Sequence, residues 1–262
     1  MRKNNIKKIW KDGGAAINGW LAIPSSVSAE TMAHEAWDSL TIDLQHGLND
    51  YSTSLSMLQA ISTTDTVPFA RVHWNEPGII MKMLDAGTCG IIAPMINNKK
   101  ECEKFVSYCR YPPLGQRSFG PTRAQLVYGL DYHTNANSQI ITLAMIETKE
   151  AMNNLDEILS VDNLNGVYIG PADLSLTHGL KPQFDVKEDP VFSNIKLIAN
   201  KAKEHGKIAG IHNGTTQYAK EMIDLGYKFI TISSDFRSMT ASAQKIVNDM
   251  KNLVQQQEDK TY

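Results

Sequence analysis

Asp43 and His46 stand three residues apart in Asp43-Leu-Gln-His-Gly-Leu-Asn-Asp50, directly after the apolar run Leu40-Thr-Ile42. An acid and an imidazole where a short buried strand meets a glycine turn suit general-base chemistry. The imidazole's ordinary pKa lies near neutrality, and a carboxylate can fix its tautomer. Glu147 and Asp173 end later strand-like runs in the same manner. Two carboxylates with no accompanying His or Cys favour a hard ion in an oxygen-rich shell, Mg²⁺ or Mn²⁺, and ligand type does not separate these from Co²⁺. Such a pair leaves most of the coordination shell to water and a chelating substrate. A purely structural alternative stands beside it: Glu147 begins the helix of Thr148-Lys149-Glu150, and Asp173 caps the turn in Gly170-Pro171-Ala172-Asp173-Leu174-Ser175.

That turn has a second use. Gly170 lets backbone approach a ligand, Pro171 fixes the turn, and the amides of Ala172 and Asp173 can face a substrate carboxylate. Arg71 ends Val67-Pro-Phe-Ala-Arg-Val72, where a buried strand prefers an apolar residue. Its guanidinium can stabilise an enolate or hold a keto acid, or close the rim with a salt bridge. Asp85 lies in the last turn of a helical run, where the helix dipole disfavours an acid. It is either a solvated acid beside Lys82 or, if functional, a contributor to a neighbouring subunit's site. His212, in Gly210-Ile-His-Asn-Gly214, follows the seventh strand and can face the same mouth. No lysine ends a strand-like run in the core, which argues against Schiff-base chemistry.

These groups need a scaffold that gathers them. Strand patterns cover Ala16–Ile23, Ser39–Asp43, Val67–Val72, Gly90–Ala93, Ile140–Ile146, Gly166–Ile169, Lys207–Ile211 and Phe229–Ile232. Helical patterns lie between them, among others at Ala29–Trp37, Pro77–Ala86, Lys99–Cys109, Lys149–Leu159, Val191–His205 and Thr215–Leu225, with a last one at about Ser238–Gln255. The alternation predicts a parallel (β/α)8 TIM barrel over residues 1–262 as one domain. A doubly wound open sheet is the rival, but Pro24-Ser25-Ser26 stands where its glycine-rich phosphate loop would follow the first strand. In a barrel, catalytic groups collect at the carboxyl ends of the strands, which selects His46, Arg71, Glu147 and Asp173. Between the fourth helix and fifth strand, Arg110–Arg123 is rich in proline and glycine and reads as a rigid loop. Its three arginines could bind an anion or form surface ion pairs.

A formal net charge of −2 supplies no basic field for nucleic acid or anionic lipid. The basic stretch Arg2–Lys8 lacks the apolar segment of a signal peptide, and no run is long enough to span a membrane. Cys89, Cys102 and Cys109 lack metal or redox spacing and read as the reduced thiols of a cytoplasmic protein.

Seven motifs in order, Asp43-Leu-Gln-His-Gly47, Ala70-Arg-Val72, Leu84-Asp-Ala-Gly87, Ala93-Pro-Met95, Tyr111-Pro-Pro-Leu-Gly-Gln-Arg-Ser-Phe-Gly-Pro121, Ile146-Glu-Thr148 and Ile169-Gly-Pro-Ala-Asp-Leu-Ser175, resemble the HpcH/HpaI aldolases. These are metal-dependent class II pyruvate aldolases such as 4-hydroxy-2-oxoheptanedioate and 2-dehydro-3-deoxyglucarate aldolase. The resemblance implies a phosphoenolpyruvate/pyruvate-type barrel, a homo-oligomer (a hexamer, or trimer of dimers) and a C-terminal helix exchanged between subunits. It implies His46 as base with Asp43 as partner, Arg71 as transition-state stabiliser and Asp85 as the acid raising the histidine's basicity across a subunit boundary. Glu147 and Asp173 match the metal ligands, and the Ala172 and Asp173 backbone matches the pyruvate carboxylate site. Two positions depart: Gln45 replaces a common Glu, and Met145 a common Gln that helps bind pyruvate.

The expected reaction joins or splits pyruvate, or a close 2-oxo acid, and an aldehyde, with the aldehyde pocket formed after the seventh and eighth strands around His212 and Asn213. Competing readings are an oxaloacetate decarboxylase on the same site, a citramalyl- or malyl-CoA lyase, disfavoured by the Gln-His-Gly element, and a non-catalytic 2-oxo-acid-binding barrel.

Overall fold

A computed structural model describes residues 4–258. Eight strands close into a parallel barrel in sequence order: β1 (Ala16–Leu21), β2 (Ser39–Asp43), β3 (Val67–Arg71), β4 (Gly90–Ala93), β5 (Ile141–Ile146), β6 (Gly166–Ile169), β7 (Ile208–Asn213) and β8 (Phe229–Ile232). Pairing of Ala16 with Phe229 and Asn18 with Thr231 closes the ring and leaves no sheet edge. The helices are α1 (Asn5–Lys11), α2 (Ser26–Ala33), α3 (Tyr51–Ile61), α4 (Pro77–Ala86), α5 (Lys99–Cys109), α6 (Thr122–Tyr128), α7 (Tyr132–Gln139), α8 (Lys149–Asn153), α9 (Leu155–Leu159), α10 (Pro171–Thr177), α11 (Val191–Glu204), α12 (Thr216–Asp224) and α13 (Asp235–Glu258). The (β/α)8 expectation stands and the open sheet falls.

The strands are largely apolar and buried because helices cover one face and the barrel interior the other. All six residues of β5 are buried. Polar residues start the helices: Asp50, Asn98, Thr148 and Thr215 accept the amides of Thr53, Glu101, Ala151 and Tyr218. Inside the barrel Phe69 and Phe229 meet at 4.9 Å, and a Cβ at Gly90 would fall 2.1 Å from the Phe69 ring. Glycine in β4 is therefore what lets this aromatic layer fill the floor. Ile6 and Trp10 of α1 pack beneath it, with the Trp10 indole donating to the Lys228 carbonyl at 2.7 Å. Among the described residues, no helix is long and apolar enough to cross a membrane.

Several boundaries differ from expectation for local reasons. β1 stops at Leu21 because the next two amides, Ala22 and Ile23, donate to the Asp235 carboxylate at 2.8 and 3.2 Å. The Lys149–Leu159 pattern breaks at Asn154, whose Nδ2 donates to the Asn97 carbonyl at 2.8 Å. β7 runs through His212 to Asn213, which pairs with Ile232. The arginines of the proline-rich segment turn to protein groups rather than to a surface network of ion pairs. Arg110 donates to Thr142, Asn163 and Asn165, and Arg123 to the carbonyls of Ala86 and Leu58, so both staple loop to barrel. The segment is a loop only to Pro121, where α6 begins.

Candidate active site

A cavity of about 710 Å³ opens at the carboxyl ends of the strands. Asp43, His46, Arg71, Met145, Gly170, Pro171, Ala172, Asp173 and His212 all line it, so the barrel brings together side chains from five strand ends. Glu147 lies directly behind this lining, 2 % exposed. Met95, just past β4, takes φ +55, a left-handed conformation uncommon outside glycine, and its amide donates to Glu147 Oε1 at 2.7 Å. A Cβ at Gly170 would stand 2.6 Å from Glu147 Oε2 and 3.1 Å from Met145 Cε, so glycine is what admits the carboxylate here. Burial pushes the Glu147 pKa up to about 7, and the nearby Asp173 charge adds to that rise against the Met95 amide and Arg71.

A carboxylate in this state asks for a cation. Arg71 does not fill the need, because its Nε and Nη2 donate to Asp43 Oδ1 and Oδ2 at 2.8 and 2.7 Å. Burial opposes ionisation of Asp43, yet Arg71 holds its carboxyl below the usual range. The Arg71 guanidinium lies 4.9 Å over the Trp20 ring and stays fully charged beside its partner. Glu147 with Asp173 thus fits a hard divalent ion: oxygen donors only, Glu147 Oε2 without a hydrogen-bond partner among the described residues, and a backbone cradle that a side chain would fill. Among the described residues no third His, Cys, Asp or Glu joins them, which leaves the rest of a coordination shell to non-protein oxygen.

Asp43 does not hold the His46 ring. Its Oδ1 accepts the backbone amides of Gln45 and His46 at 3.0 and 3.3 Å, so the acid shapes the turn while its charge serves Arg71. The exposed His46 imidazole lines the cavity with no hydrogen-bond partner among the described residues. Asp85 lies outside the cavity. It pairs with Arg117 Nη2 at 2.6 Å, while Lys82 sits over the Tyr51 ring, so it is not a solvated acid beside Lys82. Asn213 is also structural: its Nδ2 donates to the Ile211 and Thr231 carbonyls at 3.2 and 2.9 Å.

A match to the profile of the HpcH/HpaI aldolase/citrate lyase family spans residues 17–242. The chain belongs to that family. It is 41% identical over 250 residues to the hydroxypyruvate/pyruvate aldolase of Rhizorhabdus wittichii, covering 95% of this chain and 100% of the relative. It is 37% identical over 249 residues to the 4-hydroxy-2-oxo-heptane-1,7-dioate aldolase of Shigella flexneri, covering 93% and 92%. A solved HpcH/HpaI aldolase/citrate lyase family protein from Burkholderia cenocepacia superposes with a TM-score of 0.89 at 26% identity, covering 95% of this chain and all of that one.

Within this HpcH/HpaI barrel, four cavity residues escape a reading of motifs: Trp20, Tyr168, Phe184 and Arg237. Trp20 and Tyr168 are large aromatics near the ends of β1 and β6, and strand alternation alone could have flagged them. Phe184 comes from the connection between α10 and α11, which carries no periodic signal, and Arg237 from the first turn of α13, just ahead of the Ser238 at which the helical pattern begins.

Proposed function

We propose that this chain is a class II aldolase that splits or forms a 4-hydroxy-2-oxo acid, releasing or consuming pyruvate, or a close 2-oxo acid, and an aldehyde. The observation that carries it is the buried Glu147 near Asp173, directly behind the lining of the cavity that also holds Arg71 and an unpartnered His46. Glu147 and Asp173 would hold Mg²⁺ or Mn²⁺, whose contribution when bound is Lewis-acid polarisation of the 2-oxo acid. Ala172 and Asp173 line the cavity, and their backbone amides would take the substrate carboxylate. Arg71 is fixed in plane by Asp43, and its Nη1 has no protein partner among the described residues. It thus offers a preorganised cation to the charge that develops on the keto oxygen as the carbon–carbon bond breaks. His46 takes the hydroxyl proton of the departing aldehyde carbon, and returns it in synthesis. Met145 replaces a polar contact to the 2-oxo acid with thioether packing beside Gly170.

The working unit is proposed to be a homo-oligomer of cytoplasmic chains that exchange α13. Phe236, Met239, Ile246, Val247, Met250 and Leu253 repeat at helical spacing and are each more than two-fifths exposed, an apolar stripe that a second copy would cover. Asp85 would then reach a neighbour's site. The buried thiols of Cys102 and Cys109 support a reducing compartment.

Deuterium exchange into the methyl group of pyruvate tests this function. With Mn²⁺ in D₂O the wild-type chain exchanges the methyl protons, and Glu147→Gln does not. Absence of exchange in metal-replete wild-type chain would leave a ligand-binding barrel instead.

A further inference from the structure

Within the upper barrel, five polar side chains form a buried chain of hydrogen bonds that ends at His212. Ser39 and Thr41 donate to Asn18 Oδ1 at 2.8 and 3.0 Å, which turns the Asn18 amide nitrogen to Thr231 Oγ1 at 2.9 Å. Thr231 Oγ1 also accepts the Tyr168 hydroxyl at 2.7 Å. The phenolic proton is thereby committed, so the Tyr168 oxygen meets His212 Nδ1, 3.3 Å away, as an acceptor. A neutral imidazole carries one N–H. With that proton on Nδ1, Nε2 keeps its lone pair.

The ring is also held in place. Trp20 meets it edge-on at 5.1 Å and Phe184 stacks on it at 4.8 Å, with the Arg237 guanidinium 4.6 Å over Phe184. Burial, then the Arg71 and Arg237 charges, push the His212 pKa down to about 3 against a weaker pull from Asp43, so the ring stays neutral in the working range. His212 borders the cavity shared with Arg71 and Asp173, and Nε2 has no partner among the described residues. It is not among the buried polar atoms left unpaired, so it is open to the cavity.

We infer that His212 is a fixed hydrogen-bond acceptor in the aldehyde half of the site and that it selects hydroxyl-bearing aldehydes over alkyl aldehydes of equal size. The inference rests on the aldolase reading and adds the substrate class. A carboxylate-tipped aldehyde brings only acceptors to a lone pair, and an amine would condense with its own carbonyl. A hydroxyl is the remaining strong donor.

The test pairs pyruvate and Mn²⁺ with glycolaldehyde or with propionaldehyde, in which a methyl replaces the hydroxyl. The two aldehydes differ in intrinsic reactivity, so the quantity read is the change in their kcat/KM ratio on substitution. His212→Phe lowers the glycolaldehyde preference by roughly three- to tenfold, the value of one accepted hydrogen bond. His212→Gln, which places an amide oxygen near the Nε2 position, keeps most of the preference. An unchanged ratio in His212→Phe would overturn the inference. Should that variant fail to fold, ¹⁵N shifts of the wild-type ring decide: a protonated Nδ1 and bare Nε2 from about pH 6 to 8 support it, and a protonated Nε2 overturns it. Deuterium exchange into pyruvate without any aldehyde separates the levels. Exchange with an unchanged ratio sinks the hydroxyl selection alone, whereas absent exchange sinks the aldolase reading and this inference with it.

Discussion

Two aspartate–arginine pairs in this barrel use the same groups and leave opposite partners available. At the mouth, Arg71 occupies both oxygens of Asp43, and the guanidinium remains part of the cavity wall. Beside α4, Arg117 is the enclosed partner, 1 % exposed. It lies over the rings of Tyr111 and Tyr132 at 4.4 and 5.4 Å and donates to the Tyr132 hydroxyl and to one oxygen of Asp85. The Asp85 side chain remains 26% exposed. The first pair spends its carboxylate to aim a cation, and the second buries its cation to aim a carboxylate. Buried pairs add little net stability, so what each of these provides is position.

Breaking the mouth pair should give the largest effect. Arg71→Ala is expected to lower kcat by roughly 10²–10³, and the stranded Asp43 should cost about 3–5 kcal/mol of stability, read by denaturant titration. His46→Ala removes no such pair. It should lower turnover on the order of 10²–10⁴ at unchanged melting temperature, because its ring has no protein partner to strand. Gly170→Ala probes the cradle between them. Its new methyl would meet Glu147 Oε2 and Met145, and should weaken divalent-ion affinity by roughly 10–100-fold by isothermal titration. Arg117→Met keeps the apolar volume between the tyrosines and unpairs Asp85, which solvent partly serves, so about 1–2 kcal/mol is the expected loss.

The smallest effect is a pH dependence. In the metal-free chain Glu147 titrates near 7 when folded against 4.5 in the ordinary state. Between those values the folded chain binds more protons than the unfolded chain, so stability falls as pH rises through the window. Added Mn²⁺ should reverse that fall above it by mass action. Thermal melts across pH, with and without the ion, check the sign.

The barrel was legible because buried strands and crossover helices alternate with little interruption from Ala16 onward. Candidate site residues were legible where a polar side chain ends an apolar run, as at Asp43, Arg71 and Glu147. Partnerships were not. Spacing placed Asp43 near His46, yet a guanidinium from the next strand outcompetes an imidazole for a buried carboxylate, and Arg71 is in register with Asp43 across β2 and β3. Asp85 showed the same limit, since Arg117 reaches it from a loop 32 residues on. The left-handed Met95 amide and the polar chain behind His212 depend on long-range closure, which no local pattern encodes.

Manganese binding to the metal-free chain, compared with Glu147→Gln and Asp173→Asn at about pH 7.5, tests the central claim most directly. One ion per wild-type chain, taken up with proton release as Glu147 ionises and weakened roughly 100-fold in either variant, is the predicted result. Equal affinity in all three proteins would contradict it.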